Sequence, residues 1–295
     1  MAIPGPYLLF LGDAPDALAA KTARGIAHWR PEGCLGQLRL PGCAADLGLP
    51  EMAVVDAAAA GARTLVVGVA NRGGVLSPAW RDTLLAALEA GMDVAAGMHA
   101  RLRDVPALAE AAERTGRALH DVRHPTHPPP MAEAQARPGK RVLTVGTDAS
   151  VGKMYTALAL EAELTGRGAD ADFRATGQTG ILIAGEGISV DAVVADFIAG
   201  AAEWLTPANE PGHWDVVEGQ GSLFHPAFAG VSLGLLHGAQ PDALVLCHEP
   251  TRTGMRGLDH VPLPGLAECR DHTEACARLT NPAVRTIGAA VNTAA

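Results

Sequence analysis

Short apolar runs alternate with longer amphipathic stretches along nearly the whole chain. In the first part, residues 7–11 (YLLFL) and 64–69 read as buried strands, and 91–97 and 118–122 as shorter ones. Between them, residues 16–29 and 52–60 have helical spacing. Ser77-Pro78 opens a helix to Ala90, with Ser at the N-cap and Pro in the first turn, and another follows Pro106. In the second part, strands are expected at 141–145, 171–175, 214–217, 243–247 and 284–290. Helices are expected from Lys153 to about Arg167 and over 191–205. Strands separated by helices of this length predict an α/β chain with parallel, doubly wound sheets.

Between the two parts lies HPTHPPPMAEAQARPGK, residues 124–140. Its five prolines predict an extended, solvated linker. The domain boundaries are accordingly 1–123, a linker over 124–140, and 141–295. His124 and His127 could be drawn as metal ligands, but a solvated linker is the better reading, so no metal site is assigned.

Composition narrows the function classes. The 295 residues suggest about two domains, and 48% hydrophobic with 19% charged residues describes a globular chain. A net charge of −9 argues against nucleic acid and membrane surfaces as partners, so any phosphate site must be built locally. Five cysteines without a C-x-x-C fit reduced thiols in the cytoplasm rather than a disulfide framework or structural zinc. The start carries no basic leader, and no apolar run reaches a membrane-spanning length. The expected partner is a small-molecule substrate, with self-association into a homo-oligomer.

Chemistry concentrates in RVLTVGTDASVGKMYTALAL, residues 141–160. A strand, a small-residue loop and a Lys opening a helix form the setting of a phosphate-binding loop. Its candidate ligand residues are Gly146, Thr147, Asp148, Ser150, Val151, Gly152, Lys153 and Met154. Gly146 and Gly152 enclose five residues rather than the usual four, and Met154 occupies the place of the Mg2+-binding hydroxyl. Glu218 ends a strand and precedes Gly219-Gln220-Gly221-Ser222, where a base or a bridged acid, or only a capped turn, would sit. His225 is a second acid–base candidate, alongside Lys153. Gly219 and Gly221 could turn their N–H groups to an oxyanion, with Ser222 beside them. Arg174, Arg252 and Arg256, together with Gln178 and Thr179, could grip substrate carboxylates, although surface salt bridges would account for the arginines equally well. In the first domain, Gly12-Asp13, Asn71-Arg72 and His99–Arg101 follow strands, but no G-x-G-x-x-G follows the first, so no nicotinamide cofactor is assigned.

GTDASVGK and the Glu-Gly-x-Gly at Glu218 are similar to the dethiobiotin synthetase pattern. GTDASVGKM, FRATGQTGILIAGEG, VVEGQGSLFHPA and GLLHGAQPDALVLCHEPTR together resemble the D-glutamate N-acetyltransferase family, Met154 included. That resemblance implies a Rossmann-like N-terminal domain, a C-terminal domain of the P-loop NTPase type, and acetyl transfer from acetyl-CoA to the amine of D-glutamate. The alternative is an ATP-dependent ligase or kinase of dethiobiotin-synthetase type, with Mg-ATP held through Asp148 and Glu218, or a non-catalytic nucleotide-binding protein.

Overall fold

The computed structural model describes residues 3–17, 19–69, 76–125 and 129–293. Asn71, Arg72 and His127 therefore lie outside the described residues.

Residues up to His124, joined by Ile181–Glu186, form one compact unit. Its elements are β1 (Tyr7–Gly12), α1 (Lys21–Trp29), β2 (Cys34–Arg39), α2 (Val54–Ala59), β3 (Thr64–Val67), α3 (Pro78–Glu89), β4 (Asp93–Ala96), α4 (Pro106–Thr115) and β5 (Leu119–Asp121). The strands form a parallel sheet in the order β2-β1-β3-β4-β5. Its centre is almost wholly apolar because it is covered on both faces: all six residues of β1 and all four of β3 are buried, and the hydroxyl of Thr64 is paired with the Pro4 carbonyl. Ser77 caps α3 as its sequence predicts, accepting from the N–H of Trp80 at 3.2 Å. The unit departs from chain order at Ile181–Glu186, where the Gly185 carbonyl accepts from the N–H of Ile3 at 3.0 Å.

Pro125–Gly180 and Gly187–Ala295 form the second unit. It comprises β6 (Lys140–Gly146), α5 (Lys153–Gly166), β7 (Ala171–Arg174), α6 (Gln178–Ala184, shared with the first unit), α7 (Ile198–Leu205), β8 (Trp214–Val217), α8 (Ala229–Ala239), β9 (Ala243–His248), α9 (Leu266–Ala277) and β10 (Arg285–Val291). The sheet is again parallel, in the order β10-β9-β6-β8-β7. Strand β6 lies between β8 and β9, so the chain winds away from it in both directions and the crevice opens beyond its C-terminal end. Leu143, Val217 and Leu244 from these three strands join Leu235 and Leu236 of α8 in one cluster, each side chain at most 1% exposed. Burial on this scale contributes roughly 1.5–3 kcal/mol per side chain. It fixes the strand ends on which the site is built.

Three expectations change. The stretch 191–205 is not one helix, because Val193 and Val194 are extended and α7 begins only at Ile198. Gln178 and Thr179 open α6 rather than lying in a loop. Among its described residues the proline-rich stretch forms no helix, and no strand before Lys140 opens β6, but from Pro125 onward it belongs to the second unit and is strapped to it. The N–H groups of Glu133 and Ala134 donate to the Glu203 carboxylate at 2.8 and 2.7 Å. Arg137 donates to the carbonyls of Thr206 and Gly238 at 2.9 and 2.8 Å. Among the described residues, no helix is long and apolar enough to cross a membrane.

Candidate active site

Strand β6 runs into the loop Gly146–Gly152, and α5 begins at Lys153. Thr147 and Asp148 are fully buried. Thr147 Oγ1 lies 3.0 Å from His248 Nδ1, at the end of β9. The Asp148 carboxylate accepts from its neighbour's N–H (Ala149, 2.6 Å), from the Arg256 N–H (2.8 Å) and from Arg252 (2.8 Å). Ser150 adopts a left-handed backbone, φ 56°, and Gly152 another, φ 100°. Lys153 is buried, and its ammonium donates to the Asp148 carbonyl at 2.8 Å. Loss of water pulls its pKa down to about 8, with Cys247, Asp148 and Glu218 opposing the fall.

Glu218 follows β8 directly and is 3% exposed. Its Oε2 accepts from the N–H groups of Thr176 and Gly177 at 2.9 and 3.0 Å, and its Oε1 accepts from Gln220 at 3.2 Å. Thr176 also donates its hydroxyl to the Glu218 carbonyl at 2.6 Å. Gly180 is a glycine for steric reasons, since a Cβ there would run into the Glu218 carboxylate. Burial pushes the Glu218 pKa up to about 7, against the two backbone N–H bonds and the Lys153 charge, which favour the anion. Among the described residues no cation forms an ion pair with this carboxylate. A buried acid that titrates near neutrality, next to a phosphate loop, can take up and return a proton under ordinary conditions.

The structure gives several predicted site residues other work. Arg174 Nε meets the buried Asp215 carboxylate at 2.6 Å and its second nitrogen meets Asp172 at 3.3 Å, so this guanidinium is bound within the sheet and is not a free substrate clamp. Arg252 is likewise committed to Asp148, Glu249 and the loop carbonyls. His225 is buried: its Nδ1 accepts from the Ala227 N–H and its Nε2 donates to the Arg256 carbonyl, both at 3.2 Å, while its ring stacks on Phe228. Both ring nitrogens are therefore engaged within the protein in this arrangement. Gly219 donates to Thr144 Oγ1 at 2.9 Å, so its N–H is not an oxyanion donor. The approach is tight, because a Cβ on Gly219 would strike the Thr144 carbonyl. Ser222 Oγ accepts from the Phe224 N–H within the following turn, and Gly221, at φ 65°, makes that turn. Gln178 and Thr179 stand at the start of α6, next to the Thr176-Gly177 cradle.

Sequence reading missed Thr144, Thr176 and Gln220 as parts of this site. The visible signal was the repeated small-and-amide pattern TGQTG and EGQG, whose two halves meet at one carboxylate. A Mg2+ site of the kind ATP chemistry uses does not fit these donors. Asp148 already accepts three hydrogen bonds, and Met154 presents a thioether where the hydroxyl should be.

The comparisons with known proteins agree with this architecture. A family described as a domain of unknown function (DUF1611_C), P-loop domain, matches residues 130–295. Its companion, described as the DUF1611_N Rossmann-like domain, matches residues 38–125. Two curated relatives are both named D-glutamate N-acetyltransferase. One, from Tritonibacter scottomollicae, is 59% identical, over 99% of this chain and 87% of that protein. The other, from a Pseudoalteromonas species, is 51% identical, over 99% of this chain and 88% of that protein. The chain belongs to the D-glutamate N-acetyltransferase family. The crystal structure of a DUF1611 family protein from Anabaena variabilis has the same fold, with a TM-score of 0.84 and 32% identity, over 99% of this chain and 88% of that one. Within the family fold, the two five-stranded sheets are the Rossmann-like and P-loop domains, and Glu218 and Lys153 both belong to the latter.

Proposed function

We propose that the protein transfers the acetyl group of acetyl-CoA to the amine of D-glutamate, in the cytoplasm and without ATP. The reading is supported by the near-full-length similarity to two proteins named for that reaction. On the structural side, one observation carries it: a buried Glu218 with a pKa of about 7, set beside a phosphate loop whose donors do not suit Mg2+.

In this reading the loop and Lys153 receive phosphate groups of acetyl-CoA. Glu218 removes a proton from the substrate ammonium. The neutral amine then attacks the thioester carbonyl, a C–N bond forms, and the C–S bond breaks. The amine's second proton goes to the departing thiolate, and Glu218 returns its own to water. The low charge cost of protonating a buried carboxylate suits it to this exchange, and its two backbone donors keep the accepting oxygen in place.

The test is release of free CoA thiol from acetyl-CoA by the purified protein, with no ATP or added metal. Thiol appearing with D-glutamate and not with L-glutamate supports the proposal. No thiol, with ADP formed from Mg-ATP and D-glutamate, rejects it in favour of a ligase or kinase.

A further inference from the structure

We infer that Arg252 is a positioning residue, which holds the loop Gly146–Gly152 in the one backbone shape that presents its N–H groups to an anion. The inference rests on the reading of this loop as a phosphate site and assigns Arg252 a different task from gripping substrate. Its guanidinium is a fork with four oxygens on it. One terminal nitrogen donates to Asp148 Oδ2 at 2.8 Å and to the Ala149 carbonyl at 2.7 Å. The other donates to the Ser150 carbonyl at 2.8 Å and meets the Glu249 carboxylate at 2.6 Å.

In a planar trans peptide the C=O of one residue and the N–H of the next point in opposite directions. Drawing the Ala149 and Ser150 carbonyls onto Arg252 therefore turns the N–H groups of Ser150 and Val151 away from it. Among the described residues neither of these N–H groups has an acceptor in the protein. Ser150 is also held at φ 56°, a conformation that a side chain disfavours and that surrounding contacts must enforce. The contact to its carbonyl comes from Arg252, 102 residues away. Lys153 completes the arrangement, buried and aimed back at the loop through the Asp148 carbonyl. A guanidinium can bridge these oxygens together, whereas an ammonium is a single point of charge.

The experiment compares wild type, Arg252→Gln, Arg252→Lys and Asp148→Asn, each checked for folding by its melting curve. Binding of inorganic pyrophosphate is measured by calorimetry, and KM is measured for acetyl-CoA and for D-glutamate. The expected result for Arg252→Gln is a loss of pyrophosphate affinity and a rise in the acetyl-CoA KM, each on the order of 10- to 100-fold. The D-glutamate KM stays within about twofold, and Arg252→Lys recovers only a small part of the loss. Asp148→Asn, which removes the charge from the same link at constant volume, shows the same pattern in weaker form and carries the test if Arg252→Gln does not fold. Pyrophosphate binding weakened with the acetyl-CoA KM unchanged would uphold the positioning role and reject the loop as the CoA site. Pyrophosphate binding unchanged by Arg252→Gln or absent in wild type, full recovery by Lys, or a rise confined to D-glutamate would each overturn the inference.

Discussion

Strand β8 carries a buried carboxylate at each end, and the two have opposite surroundings. Asp215, near its start, is 1% exposed and faces Arg174 at 2.6 Å and His213 at 3.3 Å, with Asp170 and Asp172 also close to the histidine. Glu218, just past its end, is 3% exposed and is met by two backbone N–H groups and an amide, with no cation bonded to it among the described residues. Burial is alike; neutralisation is not. A buried charge with a matched partner serves the fold, and removing the partner strands the charge. A buried carboxylate held only by dipoles keeps a proton affinity near neutrality, which is of little use to stability and of direct use to proton transfer.

The sharpest way to break this contrast is to neutralise each end in turn. Glu218→Gln keeps an acceptor for Thr176 and Gly177, so the fold is expected to persist while acetyl transfer falls by about 10²–10⁴-fold. Steady-state rates with a melting curve check both halves. Asp215→Asn should reverse the pattern, with a stability loss of about 1–3 kcal/mol from the weakened Arg174 pairing, since Arg174 keeps Asp172, and kcat/KM within about threefold. Denaturant titration measures that loss. A large fall in kcat with little loss of stability would mean that the Asp215 end also serves chemistry.

Lys153→Met sharpens the comparison from the cation's side. The Lys153 pKa falls from 10.5 to about 8 in the folded state, so its stabilising contribution is present above 10.5 and lost as pH falls through 8. Replacing it should therefore abolish anion binding yet stabilise the fold near neutral pH by about 1–3 kcal/mol, read by chemical denaturation. Thr144→Val is the smallest change. It removes the acceptor of the Gly219 N–H and should cost about 1 kcal/mol with a modest fall in rate.

Much of this site was legible in the sequence because it is local. The strand over 141–145, the small-residue loop and the Lys that opens α5 lie within one short segment, and β8 delivers Glu218 at the residue its apolar run predicts. The ion pairs were not legible. Arg174 meets Asp215 across 41 residues and Arg252 meets Asp148 across 104, and spacing alone cannot tell a clamp for substrate from a clamp for the chain. β2 was missed because CLGQLR is a half-buried edge strand with polar residues inside it. α8 was missed because AGVSLGLLHGA carries three glycines and no polar face.

The most direct measurement is the pH dependence of kcat/KM for D-glutamate, from about pH 5.5 to 9, followed by CoA thiol release. Glu218 has its pKa raised from 4.5 to about 7, so its contribution to stability is complete below 4.5 and is lost as pH rises through 7, while its competence as a base rises over the same range. Wild type should lose activity tenfold per pH unit below about 7, and Glu218→Gln should leave only a low residual rate without that limb. An unchanged limb in Glu218→Gln would contradict the account and place the base elsewhere.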